Sequence, residues 1–187
     1  MTQSDTAFGD NSGFGDVYAR VWKQLIPQDD HIPSVVGSIR YTASTGENPF
    51  ETAIPLGSGF DRINGTLTAV KTVDPVAFYG DLFYTHAFSE RYRGVEIQPG
   101  DTFGARVGST LAVTPDISAS AGLSLASVKE AEYDGSRVDG SGRTIGLLEL
   151  GTGFVISKRL YLSFSADIGI TDDAPDLQLG VSLPVRF

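Results

Sequence analysis

The chain has 187 residues, enough for one domain, with 14 Lys and Arg against 23 Asp and Glu and a net charge of -9, a balance that argues against nucleic acid as a partner. It has no cysteine, which excludes a disulfide scaffold, a thiolate metal site and a thiol nucleophile. No run of eighteen apolar residues occurs, which excludes a transmembrane helix, whereas 22 glycines and a mean hydropathy of -0.02 suit half-apolar β-strands.

Residues 1–13 are polar and Gly-rich and read as a flexible N-terminal segment ahead of a barrel over 14–187. Met-Thr-Gln-Ser-Asp has neither a basic start nor an apolar core, so the leader of an exported barrel is expected to have been removed and Met1 to be an added initiator. From there the pattern alternates with a period of two, the signature of strands with one dry and one wet face. The spacing predicts strands at 15–26, 33–43, 62–73, 76–88, 102–113, 117–128, 144–156, 160–170 and 177–187. In the first, Val17, Ala19, Val21 and Leu25 share one face, with Asp16, Tyr18, Arg20, Trp22 and Gln24 on the other. The last alternates Leu177, Leu179, Val181, Leu183, Val185 and Phe187 with Gln, Gly, Ser, Pro and Arg. Pro184 lacks an N–H and belongs near a strand end or at a missing ladder bond.

The connections alternate too. Those at 27–31, 74–75, 114–116 and 157–159 are short, and those at 44–61, 89–101, 129–143 and 171–176 are mostly longer and polar or acidic. Short turns at one end and long loops at the other, with ten to thirteen residues per strand, fit a tilted bilayer crossing. The expected fold class is all-β, an antiparallel up-and-down transmembrane β-barrel. In a membrane barrel the polar face is the inner one, and it carries Asp16, Arg20, Arg40, Arg62, Asp81, Arg106, Glu149, Asp167 and Arg186. These are the candidate pore-lining charges, read either as a selectivity filter or as pairs that brace the lumen. Gly104, Gly108, Ala112, Ser118, Ser120, Gly122 and Ser124 form a stripe of small inward residues. It reads as room for a passing chain or an inserted loop 44–61, or as an allowance for curvature. Nine strands is an odd count, and bacterial barrels have even ones. The expectation is therefore a parent of ten or twelve strands, with two unpaired edges here that leave the barrel incompletely closed or pair it with another copy.

The ending of the chain resembles the insertion signal of bacterial outer-membrane barrels, carried by Leu179, Val181, Leu183, Val185 and Phe187. That resemblance implies the barrel-assembly machinery, the lipid bilayer and lipopolysaccharide as partners. Gly13-Phe14-Gly15-Asp16-Val17, Pro55-Leu56-Gly57-Ser58-Gly59-Phe60-Asp61 and Tyr79-Gly80-Asp81-Leu82-Phe83-Tyr84 resemble the outer-membrane transporters of the meta-pathway of phenol degradation. The barrel is also similar to that of Fap-type exporters of functional-amyloid subunits. The resemblance implies a barrel of about ten to twelve strands in the outer membrane of a Gram-negative bacterium, passing small aromatic solutes or unfolded polypeptide. The exporters' helical plug and coiled coil have no counterpart in this sequence. A third reading is a non-conducting structural barrel whose loops bind a partner.

No enzymatic activity, metal or cofactor is expected. His86 falls on the lipid face near the outer rim, and Thr85 and Ser89 beside it do not compose the His–Ser arrangement that outer-membrane phospholipases use on this fold. Asp134-Gly135 and Asp139-Gly140, or Asp172-Asp173 and Asp176, read either as ligands of Ca²⁺ or lipopolysaccharide cations or as solvated acids; neither group matches an EF-hand loop, and solvated acids are the default. Trp22, Tyr41, Tyr84, Phe88, Phe103, Tyr161 and Phe187 lie near strand ends, where aromatic girdles form.

Overall fold

The computed structural model describes residues 13–50 and 54–185. The expected flexible segment therefore lies, except for Gly13, outside the described residues, as do Arg186 and Phe187. The strands are β1 (Val17–Ile26), β2 (Ser34–Ala43), β3 (Arg62–Val73), β4 (Val76–Ala87), β5 (Glu90–Tyr92), β6 (Val95–Gln98), β7 (Thr102–Thr114), β8 (Ile117–Val128), β9 (Glu132–Tyr133), β10 (Ser136–Arg137), β11 (Arg143–Ser157), β12 (Leu160–Gly169) and β13 (Leu177–Ser182). Nine form one antiparallel meander in the order β1-β2-β3-β4-β7-β8-β11-β12-β13.

Period-two alternation fixes the register, because a slip of one residue would turn every apolar side chain to the wrong face. Trp22, Ser38, Thr66, Phe83 and Gly104 stand opposite one another in successive strands, and so do Val21, Ile39, Gly65, Tyr84 and Phe103. One face of the sheet is thus polar and the other apolar. The apolar face is not covered by a second layer. Val107 is 58 % exposed, Leu82 53 % and Leu123 50 %, and comparable side chains continue from β1 to β13. A contiguous apolar surface of that breadth does not face water, and it suits lipid contact.

Two expectations are corrected. The connections at 89–101 and 129–143 are not plain loops. Each folds into a hairpin, β5–β6 and β9–β10, and the two hairpins pair through Ile97↔Tyr133 and Gln98↔Glu132 into a four-stranded sheet. Arg93 and Asp134, with positive φ, and the glycines that follow them make the turns. The terminal strand is shorter than 177–187. Its ladder with β12 stops at Ser163↔Ser182, and only an isolated bridge, Leu160↔Val185, lies beyond. Pro184 explains the stop, since it has no N–H for the ladder. The two unpaired edges expected from the odd strand count are β1 and β13, which do not pair with each other among the described residues.

Candidate functional site

The polar face of the nine-stranded sheet gathers the charged candidates. Register puts Arg20 on β1, Arg40 on β2, Arg62 on β3, Asp81 on β4, Arg106 on β7, Glu149 on β11 and Asp167 on β12 together on it. They do not form one uniform ring.

Toward β13 the charges are engaged. The Arg106 Nε donates to Glu149 Oε2 at 2.5 Å. This bond passes over β8, where Gly122 is the residue opposite Glu149. A Cβ there would come within 2.7 Å of the Tyr79 hydroxyl and 3.0 Å of the Val107 carbonyl oxygen, so the absent side chain makes room for Tyr79 beside this bond. The Arg106 guanidinium also lies 5.0 Å from the Tyr79 ring centroid, a cation–π distance. Thr68 donates its hydroxyl to Asp81 at 2.5 Å, and Asp81 stands opposite Arg106 in the β4–β7 ladder. Glu149 and Asp167 also oppose each other across β11 and β12, and that like-charge pairing is tolerated with Arg106 beside it.

Toward β1 the charges are cationic and largely unpaired. Arg20 and Arg40 stand directly opposite each other. Arg20 donates to the Ser38 hydroxyl at 3.0 Å, and the Arg40 guanidinium lies 4.9 Å from the centroid of the Tyr18 ring. Together with Arg62, Asn64 and Thr85 they line a polar recess of about 420 Å³. A larger hollow, about 620 Å³, lies over Gly37 and Gly65 on the other face. It is walled by Leu25, Ile39, Leu67 and Leu82 and presents few groups for polar chemistry.

Asp16 departs from its expected place. It precedes β1 and acts as an anchor for the 44–61 connection. Its Oδ1 accepts the Gly46 N–H at 3.1 Å, and its Oδ2 accepts the Ser58 N–H at 2.9 Å and the Ser58 hydroxyl at 2.8 Å. Burial pushes its pKa up, but those hydrogen bonds and the Arg62 charge 3.9 Å away outweigh it and hold the carboxyl below its ordinary value. Asp61 ties the base of the same connection. It accepts the Ser44 N–H at 2.7 Å and the Tyr41 hydroxyl, and the two bonds lower its pKa. Phe50 stacks on Tyr92 at 4.4 Å and Phe60 packs edge-on to both, joining this connection to the β5–β6 hairpin. The connection is held at the rim by these contacts.

The stripe of small residues is also partly filled. The Phe83 ring lies over Gly104, the Tyr79 ring over Gly108 and Gly122, and the Tyr161 hydroxyl end over Gly153 and Ser118. A Cβ at any of these glycines would collide with the ring. Tyr161 thus belongs to the polar face rather than to a lipid-facing girdle, and so does Trp22, which stands opposite Ser38 and shares the face of Arg20. Cross-strand pairing of an aromatic with a glycine is the signal that sequence reasoning missed, since Phe83↔Gly104 and Tyr79↔Gly108 are direct partners.

On the apolar face at the loop end, His86 Nδ1 lies 2.7 Å from Asp101 Oδ1, and Tyr84 donates to Asp101 Oδ2 at 2.8 Å. Lys129 stands 3.6 Å from the same carboxylate. Burial raises the Asp101 pKa, but the Tyr84 and His86 hydrogen bonds and the nearby cations bring it below the ordinary value. With Phe88 edge-on to His86 at 5.1 Å, this cluster is a polar–aromatic rim, and Asp101 and Lys129 in it were not singled out by sequence. Among the described residues no group of three or more His, Cys, Asp or Glu could hold a metal ion.

A single amphipathic meander with a lipid-like outer face, a charged inner face and loops joined at one end defines the wall of an outer-membrane β-barrel. The family model described as "Putative MetA-pathway of phenol degradation" matches residues 1–187, and the chain belongs to this family. Its fold is that of the COG4313 outer membrane channel from Pseudomonas putida F1, with TM-score 0.80 and 16% identity over 97% of this chain and 69% of that one. OmpT, an outer membrane protein of Vibrio cholerae, aligns more weakly, with TM-score 0.48 and 13% identity over 91% of this chain and 54% of that one.

Proposed function

We propose that the protein is a passive channel of the bacterial outer membrane, with the polar face of the sheet as the wall of its lumen, and that it passes small solutes. The observation that carries this reading is the division of labour between the faces. The outer one is a broad uncovered apolar surface, and the inner one keeps seven charged side chains on register with one another, three of them arginines grouped on β1–β3. A barrel that only needed to be solvated inside would gain nothing from opposing Arg20 to Arg40. Membership of the family and the likeness to a channel fold support the same reading.

Small cargo fits better than unfolded polypeptide. The glycines that left space in the sequence are overlaid by Phe83, Tyr79 and Tyr161, which narrows the lumen and lines it with rings suited to a planar or apolar solute. A structural barrel whose lumen is filled by side chains or by the 44–61 connection is the competing reading; the ties of Asp16 and Asp61 to Gly46, Ser58 and Ser44 favour the channel over filling by that connection.

Swelling of proteoliposomes containing the full chain tests this. Sugars and small aromatic alcohols should enter faster than into protein-free vesicles, with the rate falling steeply as solute size rises. Rates equal to those of empty vesicles would overturn the channel. Uptake of an unfolded peptide at a rate comparable to that of the small solutes would move the assignment to polypeptide export.

A further inference from the structure

Arg20, Arg40 and Arg62 differ from the other charges of the polar face. Arg106 has Glu149, and Asp81 has Thr68. Among the described residues neither Arg20 nor Arg40 forms an ion pair. Asp16, 3.9 Å from Arg62, already accepts three hydrogen bonds from Gly46 and Ser58. The Arg40 Nε is buried and has no hydrogen-bond partner. Such an orphaned donor costs free energy, and so does a pair of arginines in directly opposed positions. Both costs are relieved by an anion. The recess that the three arginines share holds about 420 Å³ and adds further polar groups from Thr42, Asn64 and Thr85 and the ring of Phe83. Farther along the same face stand Asp81, Glu149 and Asp167, with Arg106 as their cation. Their excess of negative charge would push an anion toward the arginines.

We propose that this recess binds a small organic carboxylate, with Arg20, Arg40 and Arg62 taking the carboxylate oxygens and Phe83 packing against the apolar body. Planar guanidinium forks match a carboxylate in two parallel hydrogen bonds. The site lies on the face away from the apolar surface, so a lipid headgroup does not reach it from the bilayer. The inference rests on the channel reading for one point, that the bound carboxylate is cargo. The binding itself does not depend on it.

The test uses the full chain refolded in detergent, titrated calorimetrically with hexanoate, inorganic phosphate and hexanol. Emission of the chain's one tryptophan, Trp22, is followed in parallel, since it stands two residues from Arg20 on the same face and opposite Ser38. Hexanoate should bind saturably, at least about tenfold more tightly than hexanol. Arg40→Gln and, separately, Arg62→Gln should each weaken it by about tenfold or more, so that one poorly folding variant does not decide the matter. Arg137→Gln, on the β10 strand outside the recess, should leave it unchanged. Absence of saturable binding, equal binding of hexanol, or indifference to both recess substitutions would overturn the site. Phosphate binding as tightly as hexanoate would overturn its assignment to carboxylates. Bilayer recording separates the two claims: conductance without hexanoate binding keeps the channel and removes the site, whereas binding without conductance keeps the site and removes the channel.

Discussion

Asp16 commits both carboxylate oxygens to the 44–61 connection. Replacing it by Asn turns one acceptor into a donor facing the Ser58 N–H, and the cost should be about 1–3 kcal/mol of docking free energy. Faster amide exchange at Gly46 and Ser58 in Asp16→Asn, with exchange in β7 and β8 unchanged, is the expected outcome. The same residue sets a pH dependence. Its folded pKa lies below the unfolded value, so its contribution is fully present above the unfolded value and is lost as pH falls through the folded one. Protease cleavage within 44–61 should therefore rise below about pH 4 in the native protein and rise less steeply in Asp16→Asn, where only the acid-sensitive tie of Asp61 remains. Arg106 and Glu149 act as a pair instead. Removing Arg106 leaves the Glu149 carboxylate beside Asp167 without its cation, so Arg106→Gln should destabilise more in the presence of Glu149 than in a Glu149→Gln background. A double-mutant cycle in urea should give a coupling of about 0.5 kcal/mol or more, and strict additivity would contradict the pairing.

At the level of elements, the aromatic–glycine pairs govern how much of the lumen is open. Tyr79 lies across Gly108 and Gly122 on β7 and β8. Tyr79→Ala should widen the lumen and raise single-channel conductance, whereas Gly122→Val should force the ring and Arg106 out of place and cost about 1–3 kcal/mol. The strands themselves were legible because alternation is a local signal. The ranges at 62–73 and 117–128 match β3 and β8 to the residue, and the others are close except at the chain's end. The faces followed from the same period, so the positions of Arg20, Arg40, Arg62, Asp81, Arg106, Glu149 and Asp167 were readable as well. What escaped were relations between distant segments. Nothing local in 89–101 or 129–143 announces that Ile97 pairs with Tyr133, and Asp16 shares strand parity with Arg20 although its bonds go to Gly46 and Ser58. The small residues of β7 and β8 looked empty because the rings that fill them belong to other strands. Pro184, by contrast, carried its own warning, and β13 ends at Ser182 before it.

For the whole molecule, the faces and the charges make one argument. A single sheet whose apolar side is uncovered has no aqueous core to rely on, and the bilayer supplies the missing layer. Its polar side is asymmetric, with three arginines grouped on β1–β3 and an acid excess on β4, β11 and β12. Such a wall sets a field across a pore. Its strands fit the fold of a channel that aligns over 97% of this chain. Conduction is the property that this account requires. Single-channel recording of the full refolded chain in a planar bilayer tests it most directly. The account predicts discrete, steady conductance steps whose reversal potential in a salt gradient shifts when Arg20 and Arg40 are both replaced by Gln. A β-rich, heat-modifiable, membrane-inserted protein that gives no steps at any voltage would contradict it.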